Sequence, residues 1–259
     1  MKDAGLRPFL EAPNSAGLFF DFDGTLSEIV DIPSDARPVE GVVELLSQLS
    51  QRFRSVVIVS GRSAVELVRW LGDGVEIWGA HGSQRAVDGR VVLTERTAPY
   101  IDLMLRVKDE AEDLVRGKDV GGVVLEEKGV LLNLHYRNVP DRDAGRRSVG
   151  DIAAFLAIEH GLTIHPGRMS VELRPPVEFS KASVVREVAA CDELQAAAFF
   201  GDDLVDLPGF DALDELGESG IATLRVGVDS DETPRELLER SDLTVRGASG
   251  VVEMLRTLV

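Results

Sequence analysis

Phe19-Phe20-Asp21-Phe22-Asp23-Gly24-Thr25-Leu26 is the stretch on which the reading of the chain turns. An apolar run leads straight into two carboxylates at i and i+2, and Gly24 lets the backbone turn sharply behind them. A short run that is apolar on both sides reads as a strand buried on both faces, and in an open α/β sheet ligands bind beyond the carboxyl ends of such strands. Both acids therefore arrive where a site is expected. Asp-Phe-Asp-Gly serves equally as a solvated strand-to-loop turn, so the choice rests on what the remaining sequence supplies.

Near the other end, Ala198-Phe199-Phe200-Gly201-Asp202-Asp203-Leu204-Val205-Asp206 repeats the arrangement of apolar strand, glycine and clustered acids. Two acidic clusters at strand ends would repel one another unless a cation lay between them. Hard oxygen ligands in that number suit Mg2+, which takes one or two carboxylates and completes its shell with water and phosphate oxygens. Two further strand or helix ends carry complementary groups. Residues 56–59 run into Ser60-Gly61-Arg62, where a hydroxyl and the N–H groups opening the next helix could hold a phosphate oxygen; helix capping is the alternative use of Ser60. Lys181 opens the helix ahead of the second cluster, and it could neutralise phosphate and pair with the carboxylates, although a lone lysine is ordinarily a solvated charge.

Short apolar runs at 17–22, 55–60, 75–80, 197–201, 223–228 and 243–245 alternate with helical patterns at 41–51, 63–71, 182–190 and 250–258. That alternation predicts an α/β fold, a parallel Rossmann-like sheet with helices on both faces. The middle breaks the pattern. A helix at 100–115, strands at 123–128 and 130–137 about a Gly129 turn, a helix at 147–159 and strands at 163–165 and 170–174 form an α+β sequence. The expectation is a core of residues 1–97 and 177–259 with an inserted cap of residues 98–176.

Of the 259 residues, 45 are acidic and 28 basic, a net charge of −17. Nucleic acid and anionic membranes are therefore not expected partners, and an anionic small molecule would need a local patch of cations. The first residues lack the apolar core of a signal peptide, and no run approaches membrane-spanning length, so a cytoplasmic location is expected; a monomer is the separate expectation for its assembly. Cys191, the single cysteine, lies in a predicted helix among alanines and is read as a small buried apolar residue.

Asp-x-Asp-Gly-Thr, a strand-terminal Ser60, Lys181 and Gly201-Asp202-Asp203-x-x-Asp206, in this order, resemble the haloacid-dehalogenase phosphatase superfamily. The resemblance implies Asp21 as nucleophile, Asp23 as general acid and then base, and Ser60, Gly61 and Lys181 around the phosphate. It also implies magnesium held by Asp21, the Asp23 carbonyl and Asp202, with Asp203 and Asp206 in support. An α/β cap between Ser60 and Lys181 is the type used by sugar phosphatases. Within it, Gly79-Ala80-His81-Gly82, Glu126-Glu127-Lys128-Gly129, His135-Tyr136-Arg137 and Val171-Glu172-Leu173-Arg174-Pro175 resemble the trehalose-6-phosphate phosphatase family, which implies a sugar-phosphate substrate.

Strand alternation puts Glu126 and Lys128 on one face, His135 and Arg137 on one face, and Glu172 and Arg174 on one face. Such a mixed polar face suits a disaccharide, whose hydroxyls want donors and acceptors, and it also suits a solvated sheet face laced by ion pairs. His81, Glu126, Lys128, His135, Arg137 and Glu172 are thus the expected sugar contacts, with a buried core role as the alternative for His81. Val205, Leu207, Gln84 and Ala182 depart from the family pattern without removing a group from the expected site. They leave open a phosphatase of sucrose 6-phosphate or of a glycosyl phosphoglycerate; a catalytically silent sugar-phosphate sensor is the alternative from another class, and the intact pair Asp21 and Asp23 argues against it.

Overall fold

In the computed structural model, which describes residues 2–30, 32–118 and 120–259, the apolar runs pair as strands and the amphipathic ones wind as helices. The chain forms two compact units, Met1–Val92 with Phe179–Val259, and Leu93–Glu178. The first begins with α1 (Lys2–Glu11), β1 (Ala16–Phe20), α2 (Val42–Arg52), β2 (Ser55–Val59), α3 (Ala64–Leu71), β3 (Glu76–Gly79), β4 (Gln84–Val87) and β5 (Arg90–Leu93). The second contains α4 (Ile101–Gly117), β6 (Val124–Lys128), β7 (Leu131–His135), α5 (Arg142–His160), β8 (Thr163–Gly167) and β9 (Ser170–Arg174). The first then resumes with α6 (Lys181–Cys191), β10 (Ala196–Gly201), α7 (Leu207–Glu218), β11 (Ala222–Asp229), α8 (Arg235–Arg240), β12 (Leu243–Arg246) and α9 (Gly247–Arg256).

The larger sheet has the order β12-β11-β10-β1-β2-β3-β4-β5, parallel from β12 to β3. Every residue of β1 is buried, because successive side chains fill opposite cores. Leu18 and Phe20 join Leu46, Leu49 and Leu255 on one face, and Phe19 joins Val184, Val185 and Phe210 on the other. The chain runs outward from β1 in one direction and later from β10 in the other, so the strand order reverses between these neighbours. That reversal is the switch point at which α/β sheets open a crevice.

The parallel expectation needs amendment at one edge, where β4 pairs antiparallel to β3 and β5 follows. Asp88-Gly89, both with positive φ, make the two-residue turn between β4 and β5, a hairpin signal written in the sequence. Cys191 is exposed, against expectation, because the buried stripe of α6 runs through Ala182, Val184, Val185, Val188 and Ala189 and leaves its last residue outside.

In the second unit the antiparallel order is β6-β7-β9-β8. Leu132, Leu134 and Leu173 pack on Met104 and Val107 of α4 and on Val149, Ile152 and Leu156 of α5. Helix α5 starts five residues ahead of the predicted 147 because the Asp141 side chain accepts from Ala144 N, a cap that starts the helix at a charged rather than an apolar residue. No helix among the described residues is long and apolar enough to cross a membrane.

Candidate active site

Pairing registers bring the candidate groups to neighbouring strand ends. Phe20 lies opposite both Phe200 and Ile58, so Asp21, Ser60 and Asp202 follow directly from three adjacent strands. Asp21 remains tied to the sheet, its N–H donating to Phe200 O at 2.9 Å, and its side chain is buried. The next turn is closed by Leu26 N donating to Phe22 O at 2.8 Å. Gly24, at φ +72°, is where this turn meets the other acidic loop: a Cβ there would stand 2.0 Å from Asp202 Oδ2. Only glycine admits both the left-handed backbone and that approach.

Lys181 joins the two loops. Its Nζ lies 2.8 Å from Asp21 Oδ1 and also donates to Asp206 Oδ1. A capping box fixes the start of α6 that carries it, with Ser180 and Ser183 each accepting from the other's backbone N–H. Asp206, fully buried, spends its second oxygen on the backbone N–H groups of Asp202 (2.9 Å) and Asp203 (3.1 Å), which shapes the second loop. Asp203 is turned outward and accepts from Leu204 N at 2.6 Å.

Ligand oxygens of Asp21, Asp202 and Asp206, all buried, lie within 4.8 Å of one another. Among the described residues, Asp202 Oδ1 is a buried atom with no hydrogen-bond partner. Burial pushes the Asp21 carboxyl up to about 7, with Lys181 pulling it down and Asp206 adding to the rise. Burial, then the charges of Asp21 and Asp206, push Asp202 up to about 8. Lys181 shows the converse balance: burial lowers its pKa, but Asp206 and Asp21 outweigh burial and hold it above the ordinary value. Three buried carboxylates against one buried ammonium leave excess negative charge and an orphaned oxygen, which fits a divalent cation.

Ser60 is buried, its N–H donates to Trp78 O at 3.0 Å, and its hydroxyl oxygen accepts from Arg62 N at 3.2 Å. It does not cap α3; Ser63 does, accepting from Glu66 N. The hydroxyl proton of Ser60 is thus not spent on the helix. His81 leans on this loop, where a Cβ on Gly61 would lie 2.8 Å from its ring. Ala80 and His81 both hold positive φ, 48° and 59°, a strained pair fixed by Ala80 N donating to Arg62 O and His81 N to Ser60 O. The Asp23 carboxylate, half exposed, is gripped by Arg62 through Nε at 2.8 Å and Nη2 at 2.8 Å. Neither the composition nor the motif spacing pointed to Arg62, whose partner stands 39 residues away.

In the second unit, one face of the sheet presents Glu126, Asn133, Glu172 and His165 as a row of cross-strand neighbours. Lys128 (3.3 Å) and His135 (3.0 Å) both reach Glu126, and the His135 bond leads the effects that hold the Glu126 carboxyl below its ordinary value. Glu172 is buried, bonded by Asn133 Nδ2 at 2.8 Å and by Arg174 Nε. Arg137 is a correction. The strand ends at His135, where Tyr136 O accepts from Val139 N at 3.1 Å and closes a turn, so Arg137 lies in that turn and not on the face with His135. Asn133 was missed because the leucines around it dominate the pattern, and His165 because only the strand register sets it beside Glu172.

The departures noted in the sequence are mild in place. Gln84 Oε1 accepts from Ala64 N at 2.8 Å, as a carboxylate would, Val205 is half exposed, and Leu207 and Ala182 pack into the core beside α6 and α7.

Comparison with known proteins gives these features a context. The trehalose-phosphatase family model matches residues 19–240. A trehalose-phosphate phosphatase of Mycobacterium marinum is 36% identical over 225 residues, 83% of this chain and 55% of that protein. The chain spans about half the length of the curated relatives it matches. Among solved structures, a trehalose-6-phosphate phosphatase related protein superposes with a TM-score of 0.72 at 25% identity, covering 93% of this chain and 96% of the other. The C-terminal domain of the trehalose-6-phosphate phosphatase of C. albicans gives 0.73 over 99% and 96% at 22% identity, a likeness of fold.

Proposed function

The chain belongs to the trehalose-phosphatase family, and on that premise we propose that it hydrolyses a sugar phosphate, trehalose 6-phosphate, through an aspartyl phosphate on Asp21. The observation that carries this reading is the buried Lys181 bridging Asp21 and Asp206 beside the unpartnered Asp202 oxygen. Asp21, Asp202 and the Asp23 carbonyl would hold magnesium, with Asp203 and Asp206 shaping the loop around it. Bound there, magnesium would offset the charge of the phosphoryl oxygens and keep Asp21 and Asp202 ionised.

The protein's own residues supply the steps. Asp21 Oδ attacks phosphorus as the bond to the sugar oxygen breaks, and Asp23 gives that oxygen the proton an alkoxide needs to leave. Asp23 then takes a proton from the water that opens the aspartyl phosphate, returning Asp21 and releasing phosphate. Lys181 and the Ser60 hydroxyl, with the Gly61 backbone, bind the phosphoryl oxygens and reduce their repulsion from the incoming carboxylate. The polar face of the second unit, Glu126, Lys128, His135 and Glu172, reads the sugar hydroxyls, and His81 contacts the substrate from beside the phosphate loop.

Phosphate release from trehalose 6-phosphate, sucrose 6-phosphate and a glucosyl phosphoglycerate, with and without magnesium, tests this. Preferred turnover of trehalose 6-phosphate that disappears in Asp21→Asn is the expected result. Preference for another sugar phosphate would overturn the substrate, and turnover by Asp21→Asn would overturn the intermediate.

A further inference from the structure

We propose that Arg62 is a positioning residue for Asp23, fixing the carboxylate in the one orientation from which it serves the leaving oxygen; the role rests on the reading of Asp23 as proton donor. Asp23 sits on a turn with its side chain 44% exposed, where an unrestrained carboxylate would sample several rotamers. Arg62 removes that freedom. Its Nε and Nη2 engage both carboxylate oxygens, and among the described residues these are the hydrogen bonds the carboxylate has. A two-point contact from a planar fork sets the plane of the carboxylate as well as its place.

The arginine is itself held. Its side chain is only 11% exposed, and its guanidinium lies 5.0 Å from the Trp70 ring centre and 5.8 Å from that of Phe22. Those two rings stack on each other at 5.3 Å, and Glu66 Oε1 stands 3.7 Å from Nη1. Its backbone is anchored at both ends, N–H to the Ser60 hydroxyl and C=O from Ala80 N–H. Arg62 therefore couples the loop of Asp21 and Asp23 to the loop of Ser60 by one rigid side chain. A surface salt bridge made for stability alone has no need of an aromatic slot or a two-point grip.

Placement of a proton donor matters most where the leaving group is poor, which gives the test. In Arg62→Met, kcat for trehalose 6-phosphate should fall about 10- to 100-fold with KM changed less than about 3-fold, while kcat for para-nitrophenyl phosphate falls less than about 3-fold. Arg62→Lys keeps the charge but not the fork, and should recover only part of the loss. The double variant Asp23→Asn with Arg62→Met should be within about 2-fold of Asp23→Asn alone, because Arg62 acts through Asp23. Parallel losses on both substrates, or losses that multiply in the double variant, overturn the positioning role. If Asp23→Asn itself fails to discriminate between the substrates, the proton-donor reading falls, and this role of Arg62 with it. Should Arg62→Met fold poorly by circular dichroism, the Arg62→Lys ratio and its double variant carry the same decision.

Discussion

Lys181 Nζ stands 2.8 Å from Asp21 Oδ1 while donating to Asp206 Oδ1, so one buried ammonium holds together the loops after β1 and β10. Removing it leaves two buried carboxylates facing one another without a counter-charge. Lys181→Met should therefore abolish turnover and cost about 3–5 kcal/mol of unfolding free energy. Asp21→Asn should abolish turnover too, but at a cost under about 1 kcal/mol, because Lys181 keeps Asp206 and a disfavoured buried charge is lost. Urea unfolding of both variants checks this; equal destabilisation would show that Lys181 and Asp21 contribute alike.

The raised acids at positions 21 and 202 make a pH prediction with a definite sign. A carboxyl whose pKa stands higher in the folded than in the unfolded chain binds its proton more tightly when folded. Its contribution to stability is present below the unfolded value and is lost as pH rises through the folded value. For Asp202 that window runs from 3.8 to about 8, and for Asp21 from 3.8 to about 7. In chelator, the melting temperature should fall by about 5 °C or more between about pH 5 and about pH 8. Magnesium, which binds the ionised form, should flatten the fall, and Asp202→Asn should remove both the magnesium response and part of the slope. An unchanged slope in Asp202→Asn would locate the effect elsewhere.

Gly24 offers a way to disturb the acidic loops without touching a charge. An added Cβ meets the Asp202 carboxylate at 2.0 Å, and the residue must also hold φ at +72°. Gly24→Ala should therefore displace Asp202 and raise the magnesium concentration for half-maximal activity more than about 10-fold, a loss of the size seen when the support of a metal ligand is removed. Titration of activity with magnesium decides; an unshifted requirement would mean that Asp202 does not hold the ion.

What the sequence disclosed follows from the physics of each feature. Strands buried on both faces need continuous apolar runs, so β1, β2 and β10 were visible, and acids directly behind such runs have no packing reason to be there. Lys181 was read at a helix start from the apolar pattern behind it, and the capping box of Ser180 and Ser183 fixes that start. The grip of Arg62 on Asp23 was hidden because no periodicity links residues 39 apart. Arg137 was misplaced because a strand ends where its backbone turns on itself, here Val139 N on Tyr136 O, and alternation alone does not mark that point. Asn133 escaped notice for a related reason: a single polar residue among leucines reads as an interruption, whereas in register it sits between Glu126 and Glu172.

That register sharpens the last prediction, which concerns sugar selection. Glu126 is half exposed and reached by Lys128 and His135, whereas Glu172 is buried and bonded by Asn133 and Arg174. Truncating Glu172 would leave two donors unsatisfied inside the second unit, so Glu172→Ala confounds recognition with stability. Glu126→Gln and Lys128→Ala are cleaner, since both side chains retain access to water. If this face reads the sugar, each should lower kcat/KM for trehalose 6-phosphate by about 5- to 150-fold, the equivalent of about 1–3 kcal/mol for an unpaired polar partner. Para-nitrophenyl phosphate lacks the hydroxyls and should change less than about 2-fold in the same variants. Glu172→Gln, which keeps the shape but weakens the Arg174 pair, should lower both the sugar ratio and the melting temperature. The deciding quantity is the ratio of the two activities in Glu126→Gln and Lys128→Ala: a ratio equal to that of the unaltered protein would mean that the face is a solvated ion-pair network and that the sugar is read elsewhere.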